Sequence, residues 1–349
     1  MEFQKHCVGI DISRLTFTAC ICSKLLNQDV KFSEVRTFSN DKKGFNQLNR
    51  WVVKELEDTS VLVYLMEATG VYYEKLAYHL FKIKKSVHVV LPNKTKHYFA
   101  SLNVKSKTDE QDAKVLSQFG VERNHFVWNP PHPIYLELRN LTRYHHQLQT
   151  QRTSLSNIKH SKEESYSVQS FVLKSNKMLI KSIDKQIASC KKEIERLVNS
   201  DAELKEKANN ILSMKGVGLL TVATIIAETL GFEQFHNVKQ LVSYAGFDIV
   251  QRESGTSIKG KSRISKKVNK YIRNALYFPA LVACRYNENL KNTYLEIVKR
   301  KPSKMIGVVA IQRKLLILVY TLWNKNESYQ DDYKSKVAPT KAEATRDNS

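Results

Sequence analysis

The chain has 349 residues, with 56 lysines and arginines against 34 aspartates and glutamates, so its formal charge is +22. This length predicts about two domains, and a hydrophobic fraction of 42% with 26% charged residues excludes a wholly disordered chain. Such a positive charge indicates a polyanionic partner, with nucleic acid favoured over an anionic membrane surface.

Residues 1–128 alternate strand and helix signals, which predicts an α/β domain. Apolar runs predict strands at 7–11, 17–22, 35–38, 61–66 and 87–91. Helical spacing follows at 72–83, and the continuous run at 61–66 is typical of a strand buried on both faces. Three early strands followed by strand, helix and strand indicate a mixed α/β sheet.

Four acidic residues of this domain are candidate metal ligands: Asp11, Glu67, Asp109 and Asp112. Asp11 and Glu67 end predicted strands, and the other two lie three residues apart at a predicted helix start. Carboxylates that meet at one sheet edge repel unless a divalent cation lies between them, and Mg²⁺ held there stabilises charge on a phosphoryl oxygen. The alternative is that each acid is a solvated turn residue or a helix cap.

Residues 129–207 are predicted to form a linker and coiled-coil helices. Three prolines at 130–133 favour an extended linker, and no glycine or proline occurs from 134 to 215. A heptad-like seam follows, made of Ile180, Ile183, Ile187, Cys190, Ile194 and Leu197. The polar stretch 160–167 could turn the chain between two helices. Either these helices pack only on each other as a hairpin, or they form a dimerising coiled coil.

Residues 208–325 predict a basic, mainly α-helical domain, and residues 326–349 a polar tail that we expect to be disordered. The domain opens with a helix, a turn containing Gly216 and Gly218, and a second helix, which is similar to a helix-hairpin-helix element. Glycines let a backbone approach a phosphate, and the following helix N-terminus offers N–H groups. The alternative is a plain tight turn between packed helices.

A loop at 251–263 and the helix expected after it supply further candidate contacts to nucleic acid. We predict that this helix places Lys266, Lys270, Arg273 and Tyr277 on one face, which would suit phosphates and stacked bases, although a solvated face is the alternative. The predicted nucleic-acid-binding residues are Gly216, Gly218, Lys259, Lys261, Arg263, Lys266, Lys270 and Arg273. Spacing does not single out Ser254 as a nucleophile, because no histidine or aspartate partner is evident.

Membrane insertion and disulfide bonds are not expected. The most apolar stretch, 305–323, is interrupted by Gln312, Arg313 and Lys314, whereas a spanning helix needs about 20 apolar residues with few charges. No basic-then-apolar signal segment opens the chain. Five scattered cysteines predict reduced core thiols in a cytoplasmic protein.

A series of short motifs across residues 7–325 resembles the DEDD-type insertion-sequence transposases of the insertion-sequence-110 family, whose members act as bridge-RNA-guided DNA recombinases. The motifs are Val8-Gly9-Ile10-Asp11, Met66-Glu67-Ala68-Thr69-Gly70, Lys107-Thr108-Asp109 with Asp112-Ala113, Lys215-Gly216-Val217-Gly218, Tyr244-Ala245-Gly246-Phe247, Glu253-Ser254-Gly255, and Ser265-Lys266 with Asn269, Arg273 and Leu276. Each motif alone is weak, but their order and spacing are specific.

The resemblance implies an N-terminal RNase H-like, RuvC-like domain in which Asp11, Glu67, Asp109 and Asp112 bind Mg²⁺. It implies coiled-coil helices that assemble a homo-oligomer, a dimer or tetramer. It also implies a C-terminal transposase domain whose nucleophile is Ser254, assisted by the acidic site of the same or another protomer. Donor DNA, target DNA and an element-encoded bridge RNA would be the partners, in the cytoplasm at the prokaryotic nucleoid.

Two positions depart from the family pattern. Lys215 stands where the family usually has proline, which would make the glycine turn less rigid. Asp248-Ile249 stands where the family often has proline, on the approach to Ser254. Two other functions stay open at this point. One is a RuvC-like Mg²⁺-dependent nuclease without a covalent intermediate, and the other is a non-enzymatic nucleic-acid-binding scaffold.

Overall fold

The structure is a computed structural model that describes residues 3–68, 70–103, 108–167, 169–250, 253–254, 258–259, 263–301 and 303–330. At 253–254 and 258–259 it describes the backbone alone. The chain divides into two compact units, residues 1–130 and 131–349. The first is an α/β unit and the second is mostly helical.

The N-terminal unit alternates strands and helices, as the sequence predicts. Its strands are β1 (Phe3–Ile12), β2 (Thr16–Leu25), β3 (Val30–Phe32), β4 (Arg36–Ser39), β5 (Leu62–Glu67) and β6 (Ser86–Val90). Its helices are α1 (Lys42–Glu55), α2 (Glu74–Lys82), α3 (Pro92–Ser101) and α4 (Asp109–Glu122). Helix α1 was not predicted, although Asp41 caps it by accepting a hydrogen bond from the Gly44 N–H at 2.9 Å.

The sheet has the order β3-β2-β1-β5-β6, and β4 also pairs with β2. Strand β1 is antiparallel to β2 and parallel to β5, which is parallel to β6. Since β3 and β4 both lie antiparallel to β2, they act as one third strand in two pieces. This order, with β2 opposed to the other described strands, is that of an RNase H-like fold, as the resemblance implies.

The two faces of the sheet bury different cores. Val8 and Ile10 of β1 pack with Tyr64 and Met66 of β5 in one cluster, which also contains residues of α1 and α2. Cys7 and Leu65 belong to the cluster on the other face, which contains residues of α4. Successive strand residues point to opposite faces of the sheet. Alternate residues of β1 and β5 therefore pack against α1 and α2 on one face and against α4 on the other.

Gly9 lets α4 lie directly against β1. A Cβ atom at Gly9 would come within 2.0 Å of the Ser117 backbone nitrogen and 2.5 Å of the Ala113 carbonyl oxygen. Both obstacles are backbone atoms of one helix, so no side-chain rotation can relieve them. The absence of a side chain at Gly9 therefore sets the distance between this helix and the sheet.

We predict that Gly9→Ala lowers the free energy of unfolding of the N-terminal unit by about 3 kcal/mol or more, because overpacking against backbone must displace α4. Urea unfolding followed by tryptophan fluorescence measures this, since two of the three tryptophans, Trp51 and Trp128, lie in this unit. Gly218→Ala is the control, because a Cβ there meets no atom within 4 Å. Equal unfolding midpoints for the two variants would contradict the packing argument.

The C-terminal unit is built mainly of helices. They are α5 (Pro133–Glu163), α6 (Ser170–Asn199), α7 (Ala202–Leu212), α8 (Leu219–Thr229), α9 (Val238–Tyr244), α10 (Lys270–Tyr286), α11 (Glu288–Arg300) and α12 (Lys304–Lys325). Short strands lie between α9 and α10: β7 (Ile249–Val250), β8 (Glu253–Ser254), β9 (Ile258–Lys259) and β10 (Arg263–Ile264). One continuous hydrophobic core joins the helices.

Helices α5 and α6 pack on each other as a hairpin. In the predicted seam of α6, Ile187, Cys190, Ile194 and Leu197 are buried within this one chain, and Cys190 donates to the Leu141 carbonyl of α5 at 3.4 Å. The other two seam residues, Ile180 and Ile183, are only half-buried. The part of the seam from Ile187 to Leu197, here called the proximal seam, therefore packs within the hairpin of one chain.

Helix α12 is long and apolar enough to cross a membrane by length and composition alone, and half of its most apolar window is buried inside the unit. Ile311, Leu315, Leu322 and Trp323 lie in the common core of the unit. Gln312, one of the polar residues that interrupt the apolar run, is buried and donates to the Arg273 carbonyl at 2.8 Å. This helix is a core element of the C-terminal unit.

The five cysteines are free, and all but Cys284 are buried. Burial raises the pKa of the Cys22 thiol to about 12, so it stays protonated and unreactive at neutral pH.

Residues 326–330 begin the segment that the sequence predicts to be disordered, but they bind the C-terminal unit. Asn326 donates to Glu206 of α7 at 2.7 Å, and the Tyr329 N–H donates to the Ser213 hydroxyl at 2.8 Å. Residues 331–349 lie outside the described residues.

Candidate functional site

Asp11 and Glu67 lie side by side at the carboxyl ends of two parallel strands. The register of β1 and β5 pairs Ile10 with Met66, so the next residue on each strand is one of the two acids. Both acids alternate with Cys7 or Leu65, which belong to the cluster that contains α4. Strand register and side-chain alternation therefore put both carboxylates on the α4 face, at the same end of the sheet.

Helix α4 carries the other two acids towards that end. Gly120 of α4 lies against Cys7, because a Cβ there would be 2.1 Å from the Cys7 sulfur, and Ala113 lies against Gly9. Ser117 lies even closer to Gly9, so moving two residues along β1 corresponds to moving a little over one turn towards the start of α4. The next step brings the first turn of α4, with Asp109 and Asp112, towards Asp11.

The first turn of α4 is well suited to acidic residues. Thr108 caps the helix by accepting a hydrogen bond from the Gln111 N–H at 3.2 Å. Asp109, Glu110 and Asp112 all lie in this turn, where the helix dipole favours negative charge. Asp109 is exposed and Asp112 is half-buried. The helix end therefore stabilises part of the charge that the acids bring together.

The carboxylates do not form a closed ligand cluster as their side chains stand. Within the described ranges, no group of three or more His, Cys, Asp or Glu side chains is close enough to hold a metal ion. Glu67 accepts a hydrogen bond from the buried Thr95 hydroxyl of α3. The donor set fits Mg²⁺, which prefers carboxylate oxygens, but ligation by all four acids requires side-chain rotamers other than these.

The glycine turn between α7 and α8 has two distinct parts. Gly216 has a φ of +90°, and a Cβ there would lie 2.4 Å from the Val282 side chain, so this glycine serves packing. Gly218 is the N-cap of α8 and its Cα faces open space. Of the two glycines predicted to bind phosphate, Gly218 has the open approach.

Ser254 lies on β8, in a short antiparallel strand pair. Its backbone pairs with Ile258, and Glu253 pairs with Lys259, in the two-stranded ladder of β8 and β9. The side chains of Ser254 and Lys259, and all of Lys261, lie outside the described residues. Arg263 is exposed on β10, which pairs with β7.

The predicted cationic helix face is wrong in two respects. Helix α10 begins only at Lys270, because Asn269 caps it by accepting a hydrogen bond from the Ile272 N–H. Lys266 precedes the helix in a left-handed backbone conformation with φ +53°, so it cannot share a helical face with Lys270. The cap at Asn269 therefore begins the helix four residues later than the cation spacing suggests.

Arg273 does not project as a free cation. Its guanidinium donates to the carbonyl oxygens of Ala245 at 2.7 Å, Asn269 at 2.9 Å and Lys266 at 3.1 Å. Burial lowers its pKa. The residue predicted to bind phosphate instead ties the end of α9 to the segment before α10. Lys270 stays exposed at the helix start.

A buried network that the sequence analysis missed holds the same segment. The Glu228 carboxylate of α8 is 0% exposed and accepts two hydrogen bonds from Arg143 of α5, at 2.7 and 2.9 Å. It also accepts one from Asn269 at 2.7 Å. This bidentate bond to Glu228 raises the pKa of Arg143. Arg143 and Glu228 are 85 residues apart, so no local sequence pattern predicts that they pair.

Comparison with solved structures gives only distant likenesses. The Thermus thermophilus RuvC structure matches 35% of this chain and 99% of its own length, with 10% identity and a TM-score of 0.27. The fowlpox virus Holliday junction resolvase matches 32% of this chain and 92% of its own length, with 12% identity and a TM-score of 0.23. Scores this low do not by themselves establish a common fold.

Sequence comparison is more specific. A family model described as "Transposase IS116/IS110/IS902 family" matches residues 208–295, and a DEDD IS110 model described as "Transposase" matches residues 8–161. The "Transposase for insertion sequence element IS1111A" of Coxiella burnetii is 26% identical over 132 residues, which are 37% of this chain and 36% of that protein.

Similarity also extends over nearly the whole chain. The "Pilin gene-inverting protein" of Moraxella bovis is 31% identical over 331 residues, which are 93% of this chain and 98% of that protein, and the protein of the same name from Moraxella lacunata matches to the same extent. This chain therefore belongs to the IS110 family of transposases and is a DNA transposase/recombinase enzyme.

Proposed function

We propose that this transposase exchanges DNA strands under the guidance of an element-encoded bridge RNA, with a Mg²⁺-binding acidic site and Ser254 as nucleophile. The observation that supports it most directly is the meeting of β1, β5 and the first turn of α4 at one end of the sheet. The β1–β5 register puts Asp11 beside Glu67, and the contacts of α4 with Gly9 and Cys7 direct its first turn, with Asp109 and Asp112, towards the same end. Such a concentration of acids is costly unless cations offset it.

In this proposal Asp11, Glu67, Asp109 and Asp112 hold Mg²⁺. When bound, the ion supplies Lewis-acid stabilisation of the charge that develops on the phosphoryl oxygens, and it favours an ionised hydroxyl nearby. Thr95 orients the Glu67 carboxylate by donating a hydrogen bond to it. This hydrogen bond restricts the orientation of the Glu67 carboxylate.

Ser254 would attack the phosphorus of a DNA phosphodiester. A serine–phosphate ester forms as the phosphorus–oxygen bond to one nucleoside breaks, and the serine proton passes to the departing oxygen. The hydroxyl of an exchanged strand then attacks this ester, joins the DNA and restores the serine. Each reaction breaks one phosphate ester bond and forms another of similar energy, so strand exchange needs no external energy source.

The acids lie in the N-terminal unit and Ser254 in the C-terminal unit, so the chemistry requires both units, from one protomer or from two. Net charge of +22 supports binding to two DNA duplexes and a guide RNA. Sequence choice would then come from base pairing, while the protein contacts backbone. We place this activity in the prokaryotic cytoplasm, at the nucleoid, where its substrates are.

Assembly of a homo-oligomer is part of the proposal. The distal end of the α5–α6 hairpin, where α6 begins, exposes three large apolar side chains. They are Phe171, Met178 and Leu179, with exposed fractions of 76%, 72% and 51%. Large apolar side chains clustered on one exposed helix end are typical of an interface. The buried proximal seam gives the hairpin its own stability, and the distal end is free to pair with a second copy.

The test is a reaction of the full chain with cognate bridge RNA, donor DNA, target DNA and Mg²⁺. We expect wild type to give joined product and, after denaturation, a covalent protein–DNA adduct. Ser254→Ala should give neither while its RNA affinity stays unchanged, because a methyl group cannot attack phosphorus. Normal joining by Ser254→Ala would refute the serine role.

Other outcomes separate the remaining functions. Cleavage that needs the acids but proceeds in Ser254→Ala would identify a nuclease without a covalent intermediate. Binding without any cleavage in wild type would indicate a scaffold. Because full-length relatives are named for gene inversion, the DNA should include a plasmid with two sites in inverted orientation, on which the same strand exchange inverts the intervening segment.

A further inference from the structure

An open pocket of about 550 Å³ lies between α5 and the first turn of α10, which is within the usual size range of small-molecule sites. The lining residues are Asn140, Arg143, Tyr144, His146, Gln147, Thr150, Gln151, Lys270 and Tyr271. They comprise amides, aromatic rings and cations, and among these described residues none is acidic. This chemistry differs from that of the acidic site.

Helix α5 supplies a polar stripe to the pocket. Asn140, Tyr144, Gln147 and Gln151 follow one another at spacings of four, three and four residues, so they share one face of the helix. Asparagine and glutamine side chains each carry both donors and an acceptor. A stripe of this kind can hydrogen-bond the edge of a planar polar group.

Tyr144 offers an aromatic face beside this stripe. Its side chain is 45% exposed, and its hydroxyl donates to Gln186 of α6 at 2.9 Å. That bond restrains the ring, while nearly half of the residue stays exposed. Tyr271 contributes differently, because the Arg143 guanidinium already covers its ring at 4.9 Å from the centroid. Tyr144 is therefore the residue on which a ligand can stack.

The pocket floor is rigid. Arg143 is held by Glu228, and Asn269, which caps α10, is held by the same carboxylate. This network fixes α10 relative to α5 and thus fixes the position of Lys270 at the pocket edge. The negative charge of Glu228 offsets the positive charge of Arg143. Lys270 therefore provides the net positive charge that an anionic group would contact.

We propose that this pocket binds one unpaired nucleotide of a single-stranded nucleic acid. Its base would stack on Tyr144 and hydrogen-bond to Asn140 or Gln147, and its phosphate would contact Lys270. A duplex cannot use the pocket in this way, because its bases are stacked and paired. The proposal rests on the proposed strand-exchange function, in which both the guide RNA and the opened DNA present unpaired nucleotides.

The test measures fluorescence anisotropy of labelled oligonucleotides of about 12 nucleotides, a length typical of single-strand sites, with the full chain. The probes are oligo(dT), oligo(U) and a DNA duplex of mixed sequence. We expect Tyr144→Ala to weaken single-strand binding about 10-fold, in line with loss of one stacked base, and to change duplex binding less than about twofold. Tyr144→Phe keeps the ring and loses only the hydroxyl that bonds to Gln186, so it should keep most of the wild-type affinity.

A second pair of variants tests the phosphate contact. Lys270→Gln should weaken single-strand binding and reduce the slope of log affinity against log salt by about one contact. Lys291→Gln removes the same charge from an exposed position on α11 and should leave the preference for single strands unchanged. A 5-iodo-dU or 4-thio-U substitution in the probe should photocrosslink to Tyr144.

The outcomes are distinct. If Tyr144→Ala binds single strands as Tyr144→Phe does, the pocket assignment is wrong. Equal losses on single strands and duplex would also overturn it, because they would mean a general electrostatic surface. Stronger dependence of oligo(U) or of oligo(dT) on Tyr144 identifies the occupant as RNA or DNA. Failure of wild type to bind any probe would count against the proposed function itself.

Discussion

Asp11→Asn is expected to reduce DNA cleavage about 1,000-fold and to remove both joined product and covalent adduct. Asparagine keeps the size and an acceptor oxygen of aspartate but loses the negative charge. A catalytic metal ion contributes several kcal/mol of transition-state stabilisation, and each 1.36 kcal/mol corresponds to tenfold in rate. A loss of this size therefore follows if Asp11 holds the ion.

Asp29→Asn is the matched control, because Asp29 is an exposed acid in the turn between β2 and β3, where its carboxylate accepts a hydrogen bond from Asn27. It should cleave DNA like wild type. A second readout is thermal: Mg²⁺ should raise the unfolding temperature of wild type and not that of Asp11→Asn, since only a bound ligand stabilises the fold. Cleavage by Asp11→Asn at the wild-type rate would exclude Asp11 as a ligand.

The placement of Asp11 beside Glu67 was predictable because it follows from local rules. Continuous or alternating apolar runs locate β1 and β5, and an acid immediately after each run must lie at a strand end. Parallel pairing, once the two strands are neighbours, puts Asp11 beside Glu67. The position of α4 was not predictable in the same way, because it depends on the missing side chain at Gly9 and on the contact of Gly120 with Cys7.

Residues 263–273 show where local patterns fail. Cation spacing suggested a helix from Lys266, but a side-chain cap at Asn269 and left-handed backbone at Lys266 and Val268 decide otherwise. Arg273 follows the pattern of a phosphate ligand, yet its donors are taken by backbone carbonyls that only the folded chain brings near. A charge pattern in the sequence locates cationic side chains, but it does not show which of them will donate to backbone carbonyls in the folded chain.

In the buried Glu228 network, we expect removal of the Arg143 charge to cost more stability than removal of the Glu228 charge. Arg143→Met should lower the free energy of unfolding of the C-terminal unit by about 3 kcal/mol, because it leaves a fully buried carboxylate without its cation. This is at the low end of the range for broken buried pairs, since Asn269 still donates to Glu228. Glu228→Gln should cost less, about 1–2 kcal/mol, because Arg143 is 45% exposed and can be rehydrated.

Urea unfolding followed by the helical circular dichroism signal measures these differences. Arg152→Met is the control on the same helix, because Arg152 pairs with Asp184 at the surface, where 42% and 45% of the two side chains are exposed. Such a pair contributes little, so its loss should barely move the midpoint. The double variant Arg143→Met/Glu228→Leu should be more stable than Arg143→Met alone, since it removes the unpaired buried charge. If Arg143→Met is no more destabilising than Arg152→Met, the network does not hold α10 in place, and the rigid floor inferred for the pocket is lost with it.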